Sequence, residues 1–289
     1  MAESARASGR ILVALTAAAA RDRLALDVYR YLLGEAAPEV VGLFVEEEAL
    51  LAHAGSQLAR EIEMSGADRR LELAGLERQL RARSGALRRL FEAEGARLGL
   101  RAAFEVARGD CANVLSRAVE RADALVADAD AARAALEVWG RAGTTIPLRA
   151  LLLTPGRWPQ AGDVVLVVGR PADLDATAGS ALDGALRLAA RIGAPLSVVL
   201  AGRGEAPTAR EAAARLAPLA RSRGAAFAGA VTIERISTEA EARASALAAS
   251  ARHARLLVLP APASLDAELV AGLVRRLRAA VMLVRGHAG

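Results

Sequence analysis

Asp163-Val164-Val165-Leu166-Val167-Val168-Gly169 is followed by an amphipathic segment from Leu182 to Ile192 and then by Pro195-Leu196-Ser197-Val198-Val199-Leu200-Ala201. Two β-branched runs that alternate poorly, joined by a helical segment, predict a βαβ unit whose parallel strands are covered on both faces. The same order opens the chain. Ile11 to Leu15 reads as a strand, a helix carries Ala25-Leu26-Asp27, and Val40 to Val45 follows Pro38 as the second strand. In the later copy Ala181-Leu182-Asp183 and Pro195 fall at nearly the same offsets.

Working outward, the length allows the repeat to be a pair of domains. The 289 residues fit two units of ordinary size, since roughly 100–200 residues make one. Residue usage is 54% hydrophobic and 25% charged, which suits a globular chain with a sizeable core, while aromatics are only 3%. The core must therefore be packed from Ala, Leu and Val. All 38 basic residues are Arg. The net charge is +5 and the arginines are interleaved with Asp and Glu, so no nucleic-acid footprint is visible. Cys111 is the only cysteine, which excludes an intrachain disulfide and points to a reducing compartment, the cytoplasm. Arg6 and Arg10 before the apolar Ile11 to Ala20 imitate a secretory signal, but cleavage there would remove a strand whose counterpart is kept at Val164 to Gly169. No apolar run approaches the ~20 residues needed to span a bilayer.

Taken in order, residues 1–9 read as a flexible tail, 10–154 as a first domain, 155–162 as a Pro- and Gly-rich linker and 163–286 as a second domain. In the first, a helix is expected from Arg21 to Leu33, and a long one from Leu71 to Leu98 with Leu73, Leu76, Leu80, Leu87, Phe91 and Leu98 along one face. Arg101 to Val106 is the third strand, and Asp110 caps a helix from Cys111 to Arg121. Ala124 to Ala127, a helix from Ala131 to Trp139 and the strand Leu148 to Leu153 close the unit. The second domain repeats this with a helix Thr208 to Arg221, which Pro218 should kink or shorten. Strand Val231 to Ile236, helix Glu239 to His253, strand Leu256 to Leu259, helix Leu265 to Leu277 and strand Val281 to Val284 complete it. The first domain carries an insertion at about 47–70, irregular and interrupted by Gly55 and Gly66, of a length that is more often functional than structural. It is expected to cover the strand ends or to dock a protein partner.

Five strands alternating with helices, twice, give an α/β class with two doubly wound parallel five-stranded sheets related by pseudo-twofold symmetry. Ligands in such sheets sit beyond the carboxyl ends of strands where the winding reverses. The cleft candidates are accordingly Leu15, Thr16, Val45 and Asp128 in the first domain, and Gly169, Arg170 and Pro260 in the second. Each unit also ends in an apolar strand that would be a sheet edge, an aggregation hazard unless it is paired.

The order of elements resembles the universal stress protein family, of adenine nucleotide alpha hydrolase-like fold, in its tandem two-domain form. The resemblance is carried by Ile11-Leu12-Val13-Ala14-Leu15, Val41-Gly42-Leu43-Phe44-Val45-Glu46, Leu58-Ala59-Arg60-Glu61-Ile62 and Arg108-Gly109-Asp110. It implies that the last strands pair, internally as a pseudo-dimer in a monomer or across a homodimer. Nucleotide-binding members place an Asp after strand one and a Gly-x2-Gly-x9-Gly-Ser/Thr run after strand four, whose backbone N–H groups cradle phosphates. Here Thr16 and Arg170 stand at the aspartate's positions, and strand four is followed by Ala127-Asp128-Ala129-Asp130-Ala131 in one half and by Pro260-Ala261-Pro262-Ala263-Ser264 in the other. Neither is a cradle, so ATP or AMP is disfavoured as a ligand.

Other chemistry is weak. Cys111 beside an N-cap reads as an inert, partly buried thiol. His53, His253 and His287 show no metal-ligand spacing. Asp128 and Asp130 read as helix capping rather than an acid–base pair, and Arg88-Arg89 as a solvated helical face. No Gly-x-Ser-x-Gly elbow is present. Trp139 and Trp158 are expected to pack between the halves. The sequence thus points to a regulatory or protein-interaction module without a catalytic constellation. The alternative is a protein that holds a nucleotide or other anion at the first switch point by other contacts.

Overall fold

In the computed structural model the described residues are 9–15, 39–56, 60–62, 68–70, 72–141, 148–154, 161–169, 174, 180–202, 208–235, 240–260, 267–277 and 279–285. The helix expected over Arg21 to Leu33, most of the tail, residues 155–160 of the linker, Trp158 and His287 lie outside them. The first half contains β1 (Arg10–Leu15), β2 (Glu39–Glu47), α1 (Glu48–Ala54), β3 (Arg60–Ile62), β4 (Asp68–Arg70), α2 (Leu73–Arg97), β5 (Arg101–Gly109), α3 (Cys111–Ala118), β6 (Ala124–Ala127), α4 (Ala132–Arg141) and β7 (Ala150–Leu153). The second contains β8 (Asp163–Val168), α5 (Ala181–Ile192), β9 (Leu196–Gly202), α6 (Ala209–Ser222), β10 (Phe227–Arg235), α7 (Ala240–Ser250), β11 (Ala254–Pro260), α8 (Ala267–Arg276) and β12 (Ala280–Val284).

Ten strands form one sheet in the order β10-β9-β8-β11-β12-β7-β6-β1-β2-β5. Within each half the neighbours are parallel and the order is that of a doubly wound sheet reversing between its first and fourth strands. The two doubly wound five-stranded sheets are joined at their last strands. The last strands pair antiparallel, Leu153 with Val281, Leu152 with Met282, Leu151 with Leu283 and Ala150 with Val284, so the sheet is continuous. Leu151 to Leu153 and Val281 to Val284 are buried, and pairing removes the two apolar edges that the halves would otherwise expose.

Both faces of the sheet are covered, which is why the strands are apolar on consecutive residues. Ile11, Val13, Leu15, Val164, Leu166 and Val168 belong to one apolar layer, and Leu12, Ala14, Val165 and Val167 to the other. Each layer runs through both halves. At the seam, α4 packs on α8. The Arg285 guanidinium lies 4.1 Å above the ring of the buried Trp139 and donates to its carbonyl, while the Arg285 N–H donates to the Arg149 carbonyl at 2.9 Å. Trp139 thus packs between the halves.

Local signals account for the helix ends. The Asp110 carboxylate accepts from the Asn113 N–H at 2.9 Å and the Ser180 hydroxyl from the Asp183 N–H at 3.1 Å. Thr208 and Glu211 form a reciprocal capping box on α6. Several expectations need amending. Pro218 does not end α6, which runs to Ser222; Pro218 and Ala214, whose carbonyl it leaves unpaired, are both exposed and open to water. β5 runs past Val106 to Gly109, because Ala107, Arg108 and Gly109 continue the ladder against Val45, Glu46 and Glu47. β10 begins at Phe227, with a break in register before Val231. The insertion is not simply irregular: α1 buries Leu51 and Ala54 and packs on α2, β2 and β5, and β3 pairs antiparallel with β4.

Gly162, at the entrance to β8, has φ +119°, and a Cβ there would stand 2.4 Å from the His253 carbonyl oxygen, which accepts from the Asp163 N–H. Gly162→Ala is therefore expected to cost about 3 kcal/mol through backbone strain and overlap. Gly140→Ala on α4, where a Cβ meets nothing within 4 Å, should instead add about 0.8 kcal/mol. Urea unfolding midpoints that do not separate in this order would refute the packing. Residues 1–156 expressed alone would expose β7, and are expected to dimerise or precipitate. A soluble monomer in sedimentation at high concentration would contradict the role given to the seam.

Candidate functional site

The carboxyl ends of β1, β2, β5 and β6 lie side by side at the switch point of the first half. Leu15 is paired with Phe44 and Val45 with Ala107, and both side chains are buried in the core, so each can offer a ligand only its backbone. Asp128 follows β6 one step beyond the Ala14–Ala127 pair, level with Leu15, and is half-buried. In the second half Gly169 follows β8 and is exposed, and Pro260 ends β11 paired with Val284. Thr16 and Arg170 lie outside the described residues. The structure therefore brings Leu15, Val45 and Asp128 to one switch point and Gly169 and Pro260 to the other.

Three further acids stand at the first switch point. Glu46 and Glu47 end β2, and Asp110 follows β5. Glu46 accepts from Arg108 Nε at 3.2 Å and Nη2 at 3.0 Å, and Arg108 also approaches Glu77 at 3.7 Å. Glu47, Asp110 and Asp128 act together on one group, the Cys111 thiol. Burial, then the charges of Glu47, Asp110 and Asp128, push its pKa from the usual 9.0 up to about 11. Although Cys111 opens α3, where a helix dipole favours a thiolate, desolvation and the three carboxylates win. The sequence held only a partial signal for this cluster: each acid stands at the end of a strand, but nothing local says that those three ends converge.

Two of the described helix N-termini at the switch point, those of α3 and α4, are already served by carboxylates. One Asp128 carboxylate oxygen accepts from the N–H of Asp130 at 3.1 Å and of Ala131 at 2.9 Å, while Asp110 caps α3. At the start of α4 the chain's own carboxylate thus stands where a helix would present N–H groups to a phosphate. Asp128 acts as a cap, and Asp130 gives it a backbone N–H rather than forming an acid–base pair with it. A phosphate here would displace a bound anion and face Glu47 and Asp110 besides. Among the described residues no group of three or more His, Cys, Asp or Glu is placed to hold a metal ion, and no helix is long and apolar enough to cross a membrane.

No protein-family model matches the sequence, and no curated protein matches it at a significant level. Among solved structures the chain is similar to the cytoplasmic domain of a prokaryotic cation chloride cotransporter, at 16% identity and a TM-score of 0.50, over 96% of this chain and 95% of that one. It is also similar to a structure from Pseudomonas aeruginosa UCBPP-PA14 assigned as a universal stress protein, at 14% identity and a TM-score of 0.49, over 96% and 94% of the two chains. The first likeness is one of fold, and it extends over the whole ten-stranded arrangement.

With the thiol pKa displaced from 9.0 to about 11, Cys111 carries about a hundredfold less thiolate at neutral pH than an exposed cysteine. Alkylation of the native protein by iodoacetamide is expected to be slower by about that factor, and to accelerate on raising the pH well past 9 or on unfolding. A native rate equal to that of a small free thiol would contradict the electrostatics described.

Proposed function

We propose that the chain is a universal-stress-type regulatory module that works by binding another protein and does not hold ATP or AMP through the family's phosphate cradle. The observation that carries this reading is the Asp128 carboxylate bonded to the Asp130 and Ala131 N–H groups at the start of α4. In a nucleotide-binding relative that position would be left to glycines and to the ligand. Here an anion is built into the chain, and Glu47 and Asp110 add negative charge around it.

The tandem arrangement belongs to the same reading. Two like halves joined at β7 and β12 form internally what single-domain members of such a family form between subunits. Cytoplasmic residence accords with the single cysteine. The rival reading, a small-anion binder at the first switch point, would need its ligand to outcompete the Asp128 carboxylate for the same donors.

Melting the full chain with millimolar Mg-ATP, and separately with AMP, tests the proposal. Its midpoint is expected to stay unchanged. Occupancy at a hundred times the dissociation constant would contribute about 2.7 kcal/mol, several degrees in a protein of this size. Asp128→Ala should lower the midpoint without conferring nucleotide dependence, since losing such a cap costs about 1 kcal/mol. A nucleotide-dependent rise of several degrees in the unaltered protein, or a nucleotide mass released from the native preparation, would overturn the reading.

A further inference from the structure

At one end of the ten-stranded sheet stands β5, nine residues long and paired, among the described residues, only with β2. Arg101, Glu105, Val106 and Arg108 are exposed along it. An edge strand offers a row of unpaired backbone donors and acceptors, and natural proteins ordinarily shorten or cover one of this length.

The helix above it gives this edge a chemical character. α2 packs on β5 and β2, with Phe91 edge-on to Phe104 at 6.2 Å and Gly95 closing on Ala102, where an added Cβ would stand 2.5 Å away. Glu77 reaches Arg108 on β5, and the Arg88 guanidinium lies 5.4 Å from the centre of the Phe104 ring. Residues three and four apart share a helix face, so the row Glu77, Arg81 and Arg88 runs along the open edge. From Arg78 to Phe91 the helix carries Arg78, Arg81, Arg83, Arg88 and Arg89 and no acid. All five arginines are exposed, and none is held in an ion pair among the described residues. On β5 itself Val106 adds exposed apolar surface at 43%.

These features select an occupant. A second copy pairing β5 to β5 would bring two arginine-rich helices together, and like charges so placed repel. A lipid surface could neutralise the arginines but could not pair the backbone of β5. We propose that this edge takes up an extended acidic segment of a partner protein as an added strand. Its backbone pairs with β5, and alternate side chains place carboxylates beneath Arg81 and Arg88. Side chains on the other face meet the half-buried Ala103 and Ala107, which favours an alternation of acidic and apolar residues. The inference rests on the reading of the chain as a protein-binding module and adds the surface and the chemistry of the partner.

The test titrates the full chain into a fluorescent short peptide of alternating glutamate and valine, read by anisotropy at low salt. Saturable binding is expected, weakened at high salt as the ionic contacts are screened. Arg81→Glu with Arg88→Glu should weaken it by about tenfold or more, while the chain stays folded, since both side chains are exposed and only the Arg88 contact with the Phe104 ring is lost. Arg133→Glu on α4 should leave it unaltered. A peptide of the same charge, N-methylated at every second residue, should bind about tenfold more weakly because it cannot complete the strand ladder. Equal affinity for the methylated peptide would overturn strand addition. So would sedimentation with phosphatidylserine vesicles without binding to the peptide, or dimerisation of the full chain through β5. Nucleotides take no part in this assay, so an ATP-dependent melting shift would sink the nucleotide half of the preceding proposal and leave the protein-binding half, on which this one rests, standing.

Discussion

The antiparallel seam between β7 and β12 is the contact on which the rest of the molecule depends. A doubly wound half covers both faces of its sheet with helices but still ends in a strand with open donors and acceptors. In both halves that strand is apolar and buried, from Leu151 to Leu153 and from Val281 to Val284. Pairing them satisfies two edges at once and lets each apolar layer continue from one half into the other. The strands are parallel within a half and antiparallel across the seam, so the two switch points open toward opposite ends of the sheet. Whatever occupies one is remote from whatever occupies the other.

Composition also governs how closely the layers approach. With aromatics at 3%, the core has few large side chains to fill a gap, and it closes gaps by bringing backbones together. A Cβ on Gly95 would stand 2.5 Å from the Ala102 Cβ, and one on Gly272 2.9 Å from that of Ala244. Gly42 in the middle of β2 leaves just the space that the Phe91 ring takes, with a Cβ there 3.1 Å from its edge. Small residues facing small residues, with a ring set against a glycine, restore the dense packing that a protein interior requires.

Much of this was legible in the residues, and the reason differs from place to place. β1, β2, β8 and β9 announce themselves because a strand buried on both faces must be apolar on consecutive positions. The repeat of Ala-Leu-Asp and of Pro195 against Pro38 then fixes the two-part order. The ribbon of β3 and β4 was not legible, since Arg60-Glu61-Ile62 and Asp68-Arg69-Arg70 carry no apolar alternation. The last residues of β5 were missed for a similar reason: Arg108 is held in the ladder by its register and by Glu46, not by burial. Asp128 could be read as a cap from its place before a helix. Its convergence with Glu47 and Asp110 around Cys111 could not, because the three acids follow three different strands. Their proximity is set by the order in which those strands line up, which no local pattern encodes.

Trp139 gives the seam an optical consequence. Its indole is buried, with 2% of its surface exposed, and faces a cation contributed by the opposite half at 4.1 Å. Indole emission depends on solvent polarity and on nearby charge. Parting the halves would hydrate the ring and withdraw Arg285 from its face in a single event, shifting the emission toward longer wavelength. The only other tryptophan is Trp158. Replacing it with phenylalanine would leave a chain whose intrinsic fluorescence reports directly on whether its two halves are joined.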